Sequence, residues 1–237
     1  MVDEESEQTM KGSKDMKMLA KSVRAALAAA AIVGLSCPVS EATLLVTDMP
    51  TVFGPGSFFN GTVGFRFTTG VHGLTVTSLG LLDANGNGLN FAHDVGLWTT
   101  SGTLLASINI PTSGWDTIYD VPSTTDNFVF MKLGTPVRLA DNTDYVMGMS
   151  DPASQTDNWT QPQLGPAGYF ATTSSLGALV TRRYVGGTSL AFPTGEDIGG
   201  QALIGPNFIA ELTVPEPSTI LLLASGGLLA WWRRGRK

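Results

Sequence analysis

The chain has 237 residues, with 14 lysines and arginines against 20 aspartates and glutamates, and its formal net charge is −6 at neutral pH. An acidic domain repels nucleic acid phosphates and anionic membrane surfaces, so both are excluded as partners of the main domain. The chain has 1 cysteine, which excludes an intrachain disulfide and leaves its stability to the packed core.

Residues 1–42 have the composition of a secretory signal peptide with an N-terminal extension. A short apolar run at 25–35 follows several basic residues and precedes the small-x-small triplet Ser40-Glu41-Ala42. This order predicts a signal helix with cleavage after Ala42, because a permanent membrane helix needs a longer apolar run. The acidic opening is unusual for a signal peptide, so the start methionine is left open among Met10, Met16 and Met18.

Residues 43–213 are predicted to form one extracellular all-β domain, an antiparallel, jelly-roll-like β-sandwich. Short stretches rich in Val, Thr, Phe and Leu alternate there with Gly, Asn, Asp and Pro. In the best example, Val63, Phe65 and Phe67 are expected on one face of a strand and Arg66 on the other. The predicted strands are Leu44–Thr47, Thr62–Thr68, Thr75–Leu82, Phe91–Trp98, Leu104–Ile110, Phe128–Lys132, Tyr145–Met149, Gly168–Ala171, Ala178–Tyr184 and Phe208–Leu212.

Turn residues separate these strands. The stretch 83–88 contains two Asn-Gly dipeptides, which suit positive φ, and Thr100-Ser101-Gly102 predicts a tight hairpin. Pro136 and Asp141-Asn142 are expected to interrupt the strands that follow, and 151–166 is expected to be an ordered loop.

The same 83–88 stretch also fits a calcium loop. Asp83, Asn85 and Asn87 alternate before Gly88, and Asp94 follows where the last ligand of such a loop stands. Hard oxygen ligands with a glycine at the sharp turn are what calcium coordination requires. The predicted flanks are strands rather than helices, so an ordinary turn between strands is the alternative.

No catalytic motif is present, and the chain is expected not to be an enzyme. His93 beside Asp94 suggests an acid/base pair, but we expect His93 at a strand edge, on the polar face opposite Phe91, Val95 and Leu97. A carbohydrate-stacking platform is an alternative use of the aromatic residues Trp98, Trp115, Tyr119, Trp159 and Tyr169.

Residues 214–237 have the three parts of a membrane-inserted tail. Pro215-Glu216-Pro217 forms a stiff polar element, and Arg233, Arg234, Arg236 and Lys237 form a terminal basic cluster. About 15 residues between them span roughly 22 Å as a helix, short for a hydrocarbon core of ~30 Å. A single transmembrane helix is nevertheless predicted, because no polar stripe recurs along it. Its anchoring residues are Ile220, Leu221, Leu222, Leu223, Leu228, Leu229, Trp231 and Trp232.

This tail resembles the PEP-CTERM sorting signal of Gram-negative bacteria. The resemblance implies that an exosortase-type membrane protease recognises Pro215, Glu216 and Pro217, and that the basic cluster stays cytoplasmic. Within the middle domain, residues 79–110 resemble uncharacterised extracellular β-sandwich domains of bacterial surface proteins, which implies a fold and a compartment but no reaction.

These observations together predict an exported, envelope-anchored, non-enzymatic surface or matrix protein. Its expected partners are membrane lipid and the processing enzyme, and its domain is expected on the non-cytoplasmic side or released outside the cell. No cofactor is expected apart from the calcium alternative. A module that binds exopolysaccharide is the second hypothesis, and a secreted hydrolase with paired carboxylates is the third.

Overall fold

We describe the protein from a computed structural model that defines residues 42–49, 59–151, 157, 172–197 and 203–213. Within them the secondary structure consists of strands and one short 3₁₀ turn at Ala84–Gly86. In chain order the strands are β1 (Thr43–Leu44), β2 (Val46–Asp48), β3 (Gly61–Thr69), β4 (Leu74–Asp83), β5 (His93–Thr99), β6 (Leu104–Ile110), β7 (Thr117–Asp120), β8 (Asn127–Leu139), β9 (Asp144–Asp151), β10 (Thr172–Thr173), β11 (Gly177–Gly186), β12 (Gly195–Asp197) and β13 (Pro206–Leu212).

The strands form two main antiparallel sheets and one small one. The first sheet has the order β1-β13-β4-β8-β7, and the second has the order β12-β11-β3-β9-β5-β6. Strands β2 and β10 pair separately. The predicted all-β fold with antiparallel strands is therefore confirmed.

One hydrophobic core joins the two main sheets. Phe67 of the six-stranded sheet packs against Phe208 of the five-stranded sheet, with ring centroids 5.2 Å apart. Val63, Phe65 and Phe67 are fully buried, as the alternation along β3 predicts, and Arg66 points away from them to carboxylates. Each such buried side chain contributes roughly 1.5–3 kcal/mol through the hydrophobic effect.

The first and last strands of the domain are neighbours. β13 lies between β1 and β4, with Thr43 opposite Ala210 and Phe208 opposite Leu79. The buried Asn207 amide fixes this contact: its Oδ1 accepts the Val46 N–H at 3.2 Å, and its Nδ2 donates to the Val46 carbonyl at 2.9 Å. The five-stranded sheet is therefore completed only when the two ends of the domain meet.

Most predicted strands within the described residues are confirmed, and β6 matches at both ends. The prediction that Pro136 interrupts a strand is wrong: β8 continues to Leu139, with an irregular register between its pairs at Lys132 and Val137. Proline is tolerated there because a bulged position needs no ladder hydrogen bond. β7 and β12 were not predicted, since both are too short to show alternation.

Several predictions fall outside the described residues. These are the signal helix, the strand at 168–171, most of the 151–166 loop and the C-terminal transmembrane helix. Among the residues that are described, none belongs to a helix with the length and apolar character needed to cross a membrane.

The Asn207 contact yields a stability prediction. Asn207→Ala should lower the free energy of unfolding by about 1–3 kcal/mol, because it leaves the buried Val46 N–H and carbonyl without partners. Urea unfolding measures the change. Asn109→Ala is the matched control, since it removes an exposed amide contact and should change stability by less than about 0.5 kcal/mol. Equal effects of the two substitutions would contradict the role assigned to Asn207.

Candidate functional site

A buried ion pair lies where β5 begins. His93 is fully buried, with its Nδ1 2.8 Å from the Ser150 carbonyl oxygen and its Nε2 3.1 Å from Asp157 Oδ2. A carbonyl oxygen and an ionised carboxylate can only accept hydrogen bonds, so both ring nitrogens must donate. The geometry therefore favours an imidazolium paired with a carboxylate.

The surroundings of Asp157 stabilise its charged form. Besides His93, the carboxylate accepts the backbone N–H groups of Asn90 and Phe91 at 2.8 and 2.9 Å. Burial alone would raise its pKa, but these donors hold the pKa below the ordinary value of 3.8. Burial would likewise lower the pKa of His93, but Asp157, the Ser150 carbonyl and Asp151 raise it above 6.5.

The expectation for His93 was wrong in two respects. Alternation along β5 places His93 on the same inward face as Val95 and Leu97, and the exposed Asp94 points the other way to Asn109. The partner of His93 is Asp157, 64 positions away, which no local pattern could indicate. His93 is fully buried with both ring nitrogens in hydrogen bonds, so within the described residues the pair joins the start of β5 to the end of β9 and to Asp157.

Residues 83–88 form a turn that is held by hydrogen bonds within the turn and to Asp126. Both Asp83 oxygens accept the Gly88 N–H, at 3.1 and 3.0 Å, and Asp126 Oδ1 accepts the Asn85 N–H at 2.7 Å. Asn85 and Gly88 have the positive φ predicted for this turn, 69° and 93°. Burial raises the pKa of Asp83; the Gly88 N–H opposes this rise, and the nearby carboxylates of Asp157 and Asp126 add to it.

The residues of the proposed calcium loop have other surroundings in this structure. Asn85 and Asn87 are exposed, Asp83 is engaged by its own loop, and Asp94 binds Asn109 on the neighbouring strand. In the described part of the chain, no three acidic, histidine or cysteine side chains are arranged to hold a metal ion. Calcium binding stays a prediction.

The aromatic residues do not assemble as one described platform. Trp98 is only 4% exposed and packs edge-on against Phe192. Trp115 and Tyr119 are partly buried near β7, and the remaining two candidates lie outside the described residues. Trp98 is therefore unavailable for stacking on a sugar.

A groove of about 610 Å³ crosses the five-stranded sheet. Sequence analysis missed it because its walls come from five separate strands, β1, β4, β7, β8 and β13. Its mainly apolar lining includes Leu133 and Ile209, and polar groups around it include those of Thr117, Tyr119, Lys132 and Glu211. A concave, mostly apolar surface with a few polar groups is typical of small-ligand sites.

The sorting segment follows the folded domain without a gap. The Thr213 N–H donates to the Gly73 carbonyl at 2.6 Å, and its hydroxyl lies 3.4 Å from that of Thr75. The predicted sorting, anchor and topology residues, 215–237, lie outside the described residues. Pro215 comes two positions after Thr213, and a proline cannot extend the ladder of β13.

Comparison with known proteins identifies this segment. Residues 213–237 match the family model described as the PEP-CTERM protein-sorting motif. The chain thus carries a PEP-CTERM motif, which indicates an envelope protein sorted by an exosortase, and the predicted resemblance of the tail is confirmed. The comparison with curated proteins gives no match.

Among solved structures, one match is titled "Structure of infectious bursal disease virus Gt strain". It has 15% sequence identity and a TM-score of 0.25, and it covers 74% of this chain and 42% of that chain. A TM-score of this size does not define a shared fold.

The His93–Asp157 pair predicts a pH-dependent stability. The folded-state pKa of His93 is raised, so its contribution is complete below about 6.5 and is lost as pH rises through the folded value. The Asp157 pKa is lowered, so its contribution is present above about 3.8 and is lost at lower pH. The melting temperature of wild type should exceed that of His93→Gln most at pH 4.5–6, and the difference should shrink by pH 8.5.

Two further variants make this measurement decisive. Asp157→Asn removes the other partner and should give a similarly flattened profile. His72→Gln removes an imidazole at an exposed position and should follow wild type. A wild-type advantage over His93→Gln that is equal at pH 5.5 and pH 8.5 would show that the pair is not ionised.

Proposed function

We propose that this chain, which carries a PEP-CTERM motif at residues 213–237, is a membrane-anchored, non-enzymatic surface or matrix protein of the cell envelope. The observation that carries the proposal is the position of the motif directly after β13, the last strand of the described domain. The two sheets would pack as a jelly-roll-like β-sandwich that the tail presents on the non-cytoplasmic side.

The tail would anchor the domain by ordinary membrane physics. The apolar run from Ile220 to Trp232 would insert, the paired tryptophans would lie at the interface, and the basic cluster would stay cytoplasmic. Local bilayer thinning and snorkelling arginines would accommodate its short length. An exosortase would then recognise Pro215-Glu216-Pro217 and process the chain near that element, which would release or re-anchor the folded domain.

The buried polar residues support a non-enzymatic role. His93 and Asp157 satisfy each other and nearby backbone groups, and Asp83 and Asp126 bind N–H groups of the 83–88 turn. Such contacts stabilise loops and give no reactive group facing a cleft. A hydrolase ranks last, since it requires two carboxylates facing a substrate groove.

Carbohydrate binding is the second candidate, and the groove on the five-stranded sheet is the observation that favours it. Tyr119 offers a ring for stacking on a sugar face, while Lys132 and Glu211 offer a donor and an acceptor for hydroxyl groups. Extracellular polysaccharide would be the ligand class.

The sorting proposal is tested by replacing the recognition element. The variant has Pro215, Glu216 and Pro217 all replaced by alanine and is produced in a Gram-negative host that has an exosortase. Because the protease loses its recognition element, the C-terminal segment should stay on the envelope protein. Intact-mass measurement of the envelope fraction reports the difference. Ser218→Ala is the control and should be processed like wild type. Loss of the same C-terminal segment from all three proteins, or from none of them, would contradict the proposal.

The carbohydrate candidate is tested by retention on exopolysaccharide resin. Tyr119→Ala should reduce retention about tenfold, which corresponds to roughly 1.4 kcal/mol of binding free energy. Ile118→Ala is the matched control, because Ile118 is the adjacent residue on β7 and is 55% exposed outside the groove. Equal retention of both variants would remove the groove from consideration without affecting the sorting proposal.

A further inference from the structure

Both ends of the described domain leave from the same end of the five-stranded sheet. β1 begins at Thr43 opposite Ala210, and β13 ends at Leu212 opposite Leu74. We call this end of the sheet the tether end. It also contains the 70–73 and 140–143 connections. The Gly73 carbonyl accepts the Thr213 N–H, and the Gly70 carbonyl accepts the Asn142 N–H. The PEP-CTERM motif, residues 213–237, follows directly from this end.

The opposite end, here the far end, carries most of the negative charge. The 83–92 connection, the 121–126 turn and the starts of β3 and β5 lie there. Its carboxylates belong to Asp48, Asp83, Asp94, Asp120, Asp126, Asp151 and Asp157, of which Asp157 pairs with His93. At the tether end, Arg66 pairs with Asp144 at 3.8 Å. Anionic headgroups would repel the far end much more strongly than the tether end.

The tether end also exposes apolar side chains. Val71, in the 70–73 connection, is 71% exposed, which is the highest value among the large hydrophobic residues that the structure describes. Leu104 is 50% exposed and is the first residue after the hairpin that joins β5 to β6. This hairpin lies at the tether end, because the last residue of β5, Thr99, is opposite Tyr145 near the start of β9. Single exposed hydrophobics are common, so their meaning here depends on their position beside the exit of the tail.

The sequence between this end and the predicted helix is short. Four residues lie between Thr213 and Ser218, where the apolar helix is predicted to begin, so a chain from Thr213 to Ser218 extends over at most about 17 Å. The far end lies a further strand length away, roughly 33 Å for the ten residues of β4.

We infer that the tether end is a docking surface for a zwitterionic lipid bilayer, with Val71 and Leu104 entering the headgroup region. The inference rests on the proposed membrane anchor and extends it: the domain stands on the membrane through the 70–73 and 100–103 connections. The acidic far end and the His93–Asp157 pair then face away from the lipid.

The test uses the full chain with Cys37→Ser, reconstituted in phosphatidylcholine vesicles that contain a quencher lipid. Single cysteines carry an environment-sensitive fluorophore at Val71→Cys, Leu104→Cys, the far-end control Asn87→Cys and the tail position Ala230→Cys. We expect the labels at 71, 104 and 230 to lose roughly half of their fluorescence or more, since interfacial groups lie within about 5–10 Å of the acyl boundary. The label at 87 should keep its fluorescence.

The outcomes separate docking from anchoring. If the label at 230 is quenched but the labels at 71 and 104 stay as bright as the label at 87, the docking surface is overturned and the anchor stands. No quenching at 230 would overturn the anchor and the docking surface together. If the fluorescence of the label at 71 changes with the amount of protein per vesicle and not with the quencher lipid, a second copy of the chain occupies this surface. That result would overturn the lipid assignment.

Discussion

The insertion of β13 between β1 and β4 is the contact on which the domain depends. The strand brings Phe208 into the core against Phe67 and places the Asn207 amide on both backbone groups of Val46. Without β13, the edge of β4 and the inner face of the five-stranded sheet would be open to water. No disulfide exists to compensate, so the pairing of the chain ends has to supply that stability itself.

This arrangement links folding to sorting. β13 comes from the last residues before the PEP-CTERM motif, so the sheet cannot be completed until the chain up to Leu212 is available. Pairings between distant parts of a chain form late, because the loop-closure entropy has to be overcome first.

Sequence reasoning succeeded where structure is local. The apolar alternation of β3, the positive φ at Asn85 and the hairpin before β6 depend on neighbouring residues, and each was predictable. It failed for β7, whose four residues are stabilised by pairing with β8 rather than by a pattern of their own. The His93–Asp157 pair and the groove were equally inaccessible, since both combine residues that only the folded topology brings together.

Hydrogen bonds at the far end stabilise carboxylates that are buried there, including those of Asp83 and Asp157. Asp157 receives two backbone N–H groups and the His93 imidazolium, so its charge is balanced within hydrogen-bond distance. Asp83 accepts the Gly88 N–H, and burial together with the nearby carboxylates of Asp157 and Asp126 raises its pKa. These hydrogen bonds fix the loops to the strand ends and offset part of the cost of burying the carboxylates.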